Sequence, residues 1–160
     1  MHEIVVALLL LLVANGAPIL ATRLFGDRLS HPLDAGRRLG DGDFLFGPHK
    51  TLRGLVAAIV ATAAVAPLFD MHPALGALVG LAAMIGDAAS SFVKRRRHLG
   101  SGARASVLDQ LPEALLPLLV LLSAGHVDVV GLAVALAAFL VGADLLSRLL
   151  FELGIRERPY

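Results

Sequence analysis

Five long apolar stretches alternate with polar segments along the chain. This alternation predicts an all-α, polytopic membrane protein with five transmembrane helices. The predicted spans, each bounded to within a few residues, are about 4–21, 52–69, 74–93, 108–124 and 129–151. Two polar loops, about 22–51 and 94–107, follow the first and third spans. We therefore expect a single integral-membrane domain over residues 1–160, with two loops that form a site at one end of the bundle.

The composition agrees with this prediction. Hydrophobic residues make up 57% of the 160 residues, and the mean hydropathy of +0.78 is too high for a soluble domain. The chain has no cysteine, so disulfide and thiolate chemistry are excluded. The lipid bilayer is thus an expected partner, and nucleic acid is not.

The positive charges are placed asymmetrically. With five spans, all 14 lysine and arginine residues fall on one side, in the two long loops and in the end of the last span with its tail. By the positive-inside rule this side is cytoplasmic and the N-terminus lies outside. The sequence therefore predicts a multi-pass protein of the cell membrane whose site faces the cytoplasm.

An acid lies within the third apolar stretch, just before a basic run. Five side chains at i, i+4, i+7, i+8 and i+11 share one helical face: Asp87, Ser91, Lys94, Arg95 and His98. An ionised side chain in hydrocarbon costs about 2.5–3.5 kcal/mol on insertion scales, so Asp87 is expected to have a partner. A glycine-rich turn would then return the chain and bring Asp109 towards Asp87. Two carboxylates beside several cations suit Mg²⁺ with the phosphates of a nucleotide.

The first polar loop combines acids, bases and glycines, which is more typical of an ordered, site-forming loop than of a tether. Asp41 and Asp43 lie in its middle. Lys50, Thr51 and Arg53 lie at the start of the second helix, where free N–H groups and cations favour an anion. The alternative is a solvated amphipathic surface loop.

The first apolar stretch is interrupted by Asn15, Gly16 and Pro18. A membrane helix tolerates such a break only where neighbours or water satisfy the freed backbone groups. Two interpretations are open. Asn15 lines a polar cavity, or it bonds to the backbone of a neighbouring helix at a simple kink.

Several short motifs resemble the CDP-archaeol synthase family, which is related to the CDP-diglyceride synthetase group. SFVKR at 91–95 is similar to the SxxKR opening of the CDP-diglyceride synthetase signature. The other similar stretches are PLDAG at 32–36, DG at 41–42 with FG at 46–47, KTLRG at 50–54, GD at 86–87 and LDQL at 108–111. The resemblance covers about residues 15–110, with similar chain length and five-span layout.

The resemblance implies a cytidylyltransferase that converts CTP and a lipid phosphate, archaeol-type or phosphatidate-like, to a CDP-lipid and pyrophosphate, with Mg²⁺ required. The residues proposed as catalytic are Asp87, Lys94 and Asp109. Nucleotide and phosphate binding is assigned to Asn15, Asp41, Lys50, Thr51, Arg53, Ser91, Lys94 and Arg95. The metal is assigned to Asp87 and Asp109, with Asp41, Asp43 or Glu113 as further candidates. Glu113 is included because Pro112 stands where the family commonly has an acid.

These roles have structural alternatives. The basic run at 94–97 is also what a positive-inside boundary requires, and Asp109 is also placed as the N-cap of the fourth helix. Asp144 and Arg148 lie at i, i+4 and are expected to pair. Gly76 and Gly80 have a small-xxx-small spacing that serves either a homodimer or contacts within one bundle.

A different class of function also fits an acid within the membrane. In a small transporter or assembly subunit, Asp87 and Asp144 would form an ion or proton pathway. A CDP-alcohol phosphotransferase fits less well, because Asp41-Gly42 is not followed by the DGxxAR pattern of that group. The gathering of polar residues at one end of the spans favours the cytidylyltransferase over the transporter.

Overall fold

The computed structural model describes residues 1–97 and 107–152, and the side chains of residues 107–109 and 146–152 are outside that description. Within these ranges the protein is all-α, as predicted, and only two isolated β-bridges occur. The helices are α1 (His2–Phe25), α2 (Leu52–Val65), α3 (Pro73–Arg96), α4 (Val107–Ser123) and α5 (Val129–Glu152). A 3₁₀ turn, Ala66–Phe69, extends α2.

Three segments of the described chain are long and apolar enough to cross a membrane: α1, α2 with its 3₁₀ extension, and α3. The described parts of α4 and α5 give shorter apolar helices, Gln110–Ser123 and Val129–Leu145. Large apolar side chains cover the outside of the bundle, including Leu12, Val60 and Leu78. Such a surface is unfavourable in water and suits contact with lipid.

The apolar core lies in the half of the bundle that contains the start of α1. Val6 and Leu10 of α1 pack there with Leu118 and Leu121 of α4 and with Ala135 of α5. Leu10, Leu118 and Leu121 are fully buried. Since this half holds the helices together, it fixes the positions of the polar residues at the other end.

Helix α3 contacts α1, α2 and α4. A Cβ atom at Gly80 would collide with the Thr62 hydroxyl of α2, and one at Gly76 would collide with the Thr62 carbonyl. The two glycines therefore allow α2 and α3 to approach closely. This decides between the two interpretations of the pair: it serves contacts within one bundle and gives no support to the predicted homodimer.

Helix α4 begins close to its predicted start, but without the predicted cap. It starts at Val107, so Asp109 lies in its first turn, and the prediction of Asp109 as N-cap was wrong. Pro112 consequently lies inside the helix. A Cβ atom at Gly86 would collide with the Pro112 carbonyl, so the α3 and α4 backbones meet there. The N-terminal part of α4 is thereby held beside the residue that precedes Asp87.

Candidate active site

An ion pair between the first loop and α3 lies at the centre of the candidate site. The Lys50 ammonium donates to both carboxylate oxygens of Asp87, with Nζ–O distances of 2.6 and 2.5 Å. The two side chains are 24% and 26% exposed. Asp87 therefore has the partner that its position within an apolar helix requires. That partner is Lys50, 37 residues earlier in the chain, and the sequence did not identify the pair.

A small open cavity adjoins this ion pair. It has a volume of about 70 Å³ and is lined by residues of α1, the first loop, α2 and α3, among them Thr22, His49, Lys50, Thr51 and Asp87. This volume accommodates a few water molecules or part of a phosphate group. Pockets for whole small molecules are usually about 300–1,000 Å³. The cavity is therefore too small to enclose a whole small molecule.

The position of Lys50 depends on how the first loop folds. An isolated β-bridge joins Pro32 to Thr51. Next to it, the Leu33 N–H donates to the Lys50 carbonyl at 2.6 Å, and the Leu52 N–H donates to the His31 carbonyl at 3.0 Å. These bonds hold the backbone of Lys50 against the start of the loop.

The carboxylate of Asp34 is the main polar centre of the loop. It accepts N–H bonds from Gly36, Phe46 and Gly47 at 2.9–3.0 Å, and the residue is only 5% exposed. Burial raises the pKa of Asp34, but the hydrogen bonds from the three backbone N–H groups together lower it by more. Its pKa therefore lies below the usual 3.8. Asp34 is therefore ionised and joins the two ends of the loop.

The loop is also tied to the end of α3. Arg96 pairs with Asp41 and donates to the Phe44 carbonyl at 2.9 Å. The hydrogen bond from Arg96 holds the pKa of Asp41 below its ordinary value. The Arg95 guanidinium lies against Gly47, whose φ of +93° and lack of a side chain permit this approach. Both arginines thus contact the first loop from α3.

Thr51 and Arg53 begin α2 as the sequence suggested, with contacts that the sequence did not show. The Thr51 hydroxyl caps α2 by accepting from the Gly54 N–H at 3.1 Å. The Arg53 guanidinium donates to the carbonyls of Gly26 and Arg28, at 2.7 and 2.5 Å. It thereby satisfies carbonyls just beyond α1. Phosphate binding by either residue remains a prediction.

The residue Asn15 of α1 is partly exposed, but its side-chain amide is buried. Neither atom of its amide has a hydrogen-bond partner within the described part of the chain. Pro18, one turn later, removes a backbone donor from α1, and its carbonyl accepts from the Thr22 hydroxyl at 2.9 Å. A buried amide without partners is costly unless water or a ligand supplies them. Asn15 does not line the cavity beside Lys50 and Asp87, so its place in a polar cavity remains a prediction.

The remaining predicted residues belong to α3, α4 and α5. Ser91 follows Asp87 by four residues on α3, and Lys94 is half-buried one turn further. The backbone of Glu113 is close to Gly86. The carboxylate of Asp109 is outside the described side chains, and so is Arg148, the predicted partner of Asp144. Among the described side chains, no three His, Asp or Glu residues form a ready metal site, so the predicted metal site remains a prediction.

Two residues of this region were missed as site residues, Asp34 and Arg96. Asp34 stands two residues before Gly36, a pattern that favours a local turn closed by the aspartate side chain. Its bonds to Phe46 and Gly47 span 12 and 13 residues and leave no sequence signal. Arg96 is one of four consecutive cations, and the sequence could not show which of them contacts the loop.

Comparison with known proteins identifies the family. A family model described as CarS-like CDP-archaeol synthase matches residues 1–160, the whole chain. The chain belongs to the CDP-archaeol synthase family. The resemblance that the sequence motifs indicated is thereby confirmed.

Several curated members of the CDP-archaeol synthase family are similar to this chain. The protein of Hyperthermus butylicus is 38% identical over 131 residues, which are 78% of this chain and 75% of the relative. That of Aeropyrum pernix is 33% identical over 165 aligned residues, covering 99% and 91% of the two chains. That of Pyrobaculum arsenaticum is 40% identical over 113 residues, covering 68% and 67%. All three are named CDP-archaeol synthase.

A solved structure has the same fold. It is described as an intramembrane enzyme for archaeal membrane lipid biosynthesis, and it aligns with a TM-score of 0.73 and 32% sequence identity. The alignment covers 86% of this chain and 87% of the other. The predicted fold class, a helical protein embedded in a membrane, is confirmed by this match and by the helices of the structure.

Proposed function

We propose that this protein transfers the cytidylyl group of CTP to an archaeol-type lipid phosphate, giving CDP-archaeol and pyrophosphate. As a CDP-archaeol synthase family member it is a nucleotidyltransferase that forms a CDP-lipid. The observation that carries the assignment of the site is the Lys50–Asp87 ion pair beside an open cavity, at the polar end of three apolar helices. The archaeol-type acceptor is taken from the names of the relatives.

The reaction requires no nucleophilic side chain, because a lipid phosphate oxygen can attack the α-phosphorus of CTP directly. A new bond forms from that oxygen to the α-phosphorus, and the bond from the α-phosphorus to the bridging oxygen breaks. Pyrophosphate leaves with the electron pair of the broken bond. The protein must therefore align the two phosphates and neutralise charge on the triphosphate.

The chain has side chains and backbone N–H groups that can align the phosphates and neutralise their charge. Lys50 and the N-terminus of α2 offer a cation and N–H donors to phosphate oxygens. Lys94, Arg95 and Ser91 extend the same α3 face towards the polar end. In this proposal Lys50 releases Asp87 when CTP arrives and binds the phosphates instead.

Asp87 suits a divalent cation for two reasons. Its carboxylate lines the cavity, and both of its oxygens already bind a positive group, the Lys50 ammonium. Mg²⁺ is usually held by one or two carboxylates together with substrate phosphates and water. Asp87 would hold the ion, with Asp109 as a proposed second ligand and Asp41, Asp43 or Glu113 as further candidates. Bound Mg²⁺ would supply charge neutralisation for the triphosphate and the leaving pyrophosphate.

We assign the site to the cytoplasmic side of the cell membrane, with the N-terminus outside, because the loop cations lie at this end. CTP would then enter from the cytoplasm, and the lipid phosphate would enter from the inner leaflet. The transporter alternative receives no support, because Asp87 is paired with a loop lysine and the family is enzymatic.

A direct assay tests the proposal. Purified protein is incubated with Mg²⁺, CTP labelled at the α-phosphorus and one of two acceptors, archaeol phosphate or phosphatidate, and the lipid fraction is separated. We expect label in CDP-archaeol and one pyrophosphate released for each molecule formed. Asp87→Asn should abolish the product, whereas Asp70→Asn should not. Intact CTP with every acceptor would refute the function, and label only with phosphatidate would refute the assigned lipid.

The Asp70 variant is a suitable control. Asp70 is exposed in the turn before α3, far along the helix from Asp87. Its φ of 57° is left-handed, and asparagine tolerates that conformation. Both variants therefore remove one carboxylate charge without changing the size of the side chain.

A further inference from the structure

Asp34 does not line the cavity, yet three backbone N–H groups of the first loop donate to its carboxylate. We infer that Asp34 is a positioning residue of the reaction, whose carboxylate holds the loop in the shape that places Lys50 on Asp87. This inference rests on the proposed function of the Lys50–Asp87 site. It assigns a role to a residue that lies outside the predicted site.

Both oxygens of Asp34 are already engaged. Oδ1 accepts from the Gly36 N–H at 2.9 Å, and Oδ2 accepts from the N–H groups of Phe46 and Gly47 at 2.9 and 3.0 Å. The residue is almost fully buried within the loop. A carboxylate in this environment is suited to fixing the backbone and offers little surface to a metal ion or a substrate. Asp34 therefore acts through other residues.

The path from Asp34 to Lys50 is short and entirely within the loop. Leu33, which adjoins Asp34, donates its N–H to the Lys50 carbonyl at 2.6 Å. From the other side, Gly47, held by Asp34, accepts from the Lys50 N–H at 3.2 Å through its carbonyl. The backbone of Lys50 is thus fixed on both sides by residues that depend on Asp34.

The same contact fixes Gly47 under α3. Gly47 has a φ of +93°, and its Cα faces the Arg95 guanidinium, with the nearest side-chain nitrogen 2.9 Å from the place a Cβ would occupy. The N–H bond to Asp34 holds this left-handed residue in place. Asp34 therefore positions two cations. It positions Lys50 through the backbone hydrogen bonds of the loop, and it positions Arg95 by holding Gly47 against the Arg95 guanidinium.

Asparagine at position 34 would break this arrangement with little change in volume. Its single acceptor oxygen cannot replace a carboxylate that accepts three N–H bonds, and its amide N–H₂ would face an N–H donor. Every partner of Asp34 lies in the loop, so the helices should still form. We expect the KM for CTP of Asp34→Asn to rise about tenfold or more, with a smaller change in kcat, because Lys50 is misplaced before chemistry begins.

The decisive test is a double-mutant cycle. Asp34→Asn is measured alone and in a Lys50→Met background, with Asp27→Asn as the matched control. Asp27 is an exposed acid of the same loop, and its variant should behave like the wild type. If Asp34 acts through Lys50, its replacement should have a much smaller effect once Lys50 is absent. Equal effects in both backgrounds, or no effect in either, would overturn the inference.

A second measurement does not depend on activity. Amide hydrogen exchange of residues 44–52 should accelerate about 10- to 100-fold in Asp34→Asn, the factor expected for loss of a charge-assisted hydrogen bond. Exchange in α1 and α3 should stay unchanged. Unchanged exchange in 44–52 would refute the role of Asp34, whereas a wild-type protein that makes no CDP-lipid would refute the proposed function alone.

If Asp34→Asn does not yield folded protein, Gly47→Ala tests the same inference. A side chain at the +93° position is strained and meets the Arg95 guanidinium. The same rise in KM and the same faster exchange in 44–52 are expected. A Gly47→Ala protein with wild-type KM and wild-type exchange would contradict the inference.

Discussion

Replacing Lys50 by methionine should change the binding of a metal alone and of a metal–nucleotide complex in opposite directions. In the structure, the Lys50 ammonium occupies both oxygens of Asp87. A divalent cation that binds without nucleotide must displace it. When CTP is present, the displaced lysine would gain the phosphates as new partners. Lys50→Met removes both the competitor and the phosphate ligand.

The size of the effect follows from the ion pair. Hydrogen bonds between charged groups contribute about 1.5–3 kcal/mol. The lower half of this range applies here, because the side chains of Lys50 and Asp87 are 24% and 26% exposed and are therefore partly screened by solvent. A free-energy difference of about 1.5–2 kcal/mol corresponds to a factor of about 10 to 30 in affinity. Mn²⁺ should thus bind the nucleotide-free variant about 10- to 30-fold more tightly than the wild type.

Mn²⁺ is titrated into the purified protein with detection by electron paramagnetic resonance, first without CTP and then with it. The control is Arg28→Met, which removes an exposed cation from the same loop and should leave both affinities close to wild type. It corrects for the change in net charge. Without CTP the affinity of Lys50→Met should rise, and with CTP it should fall below that of the wild type.

Two results would refute the reasoning. If Lys50→Met binds Mn²⁺ no better than Arg28→Met, the ammonium does not compete with a metal for Asp87. If the variant binds Mn²⁺ with CTP as well as the wild type, Lys50 does not hold the phosphates.

Other predictions concern packing and pH. Gly86→Ala should destabilise the protein by about 1–3 kcal/mol in thermal unfolding, because its Cβ would strike the Pro112 carbonyl. Gly142→Ala is the control, because its Cβ would meet no described atom and should not destabilise the protein. Equal melting temperatures for the two variants would contradict the α3–α4 contact. The lowered pKa of Asp34 means that its contribution to stability is complete above its ordinary value of 3.8 and is lost as the pH falls through its lower folded-state value. Protection of residues 44–52, corrected for intrinsic exchange, should therefore persist from pH 7 to about 4 and decrease only below that; loss of protection near pH 6 would contradict it.

The helices could be predicted from the sequence because an apolar run of this length is typical of a membrane-spanning helix. The described bounds of α2 with its 3₁₀ extension, 52–69, coincide with the predicted span. The N-cap of α4 could not be identified, because an aspartate followed closely by a proline, here Asp109 and Pro112, is typical of a helix start. Val107 instead starts the helix, and Pro112 is accommodated within it opposite Gly86.

The site could be predicted only in part. A buried acid needs a partner, so the pairing of Asp87 was foreseeable, but several lysines and arginines were equally available to it. The choice of Lys50 is set by the loop, whose shape depends on hydrogen bonds between distant backbone groups. The carboxylate of Asp34 adds two further bonds across the loop, to the N–H groups of Phe46 and Gly47, and a side chain that accepts from distant N–H groups leaves no periodic pattern.

The most direct test of the central claim is the affinity of Mn²⁺ with CTP for the Asp87→Asn protein. In the proposed site the Asp87 carboxylate is the protein's ligand for the metal that accompanies the nucleotide. Loss of a charged ligand beside a dication costs several kcal/mol, so the affinity should fall about a hundredfold or more, while Asp70→Asn keeps the wild-type value. Equal affinities for Asp87→Asn and the wild type, with both proteins folded, would contradict the account.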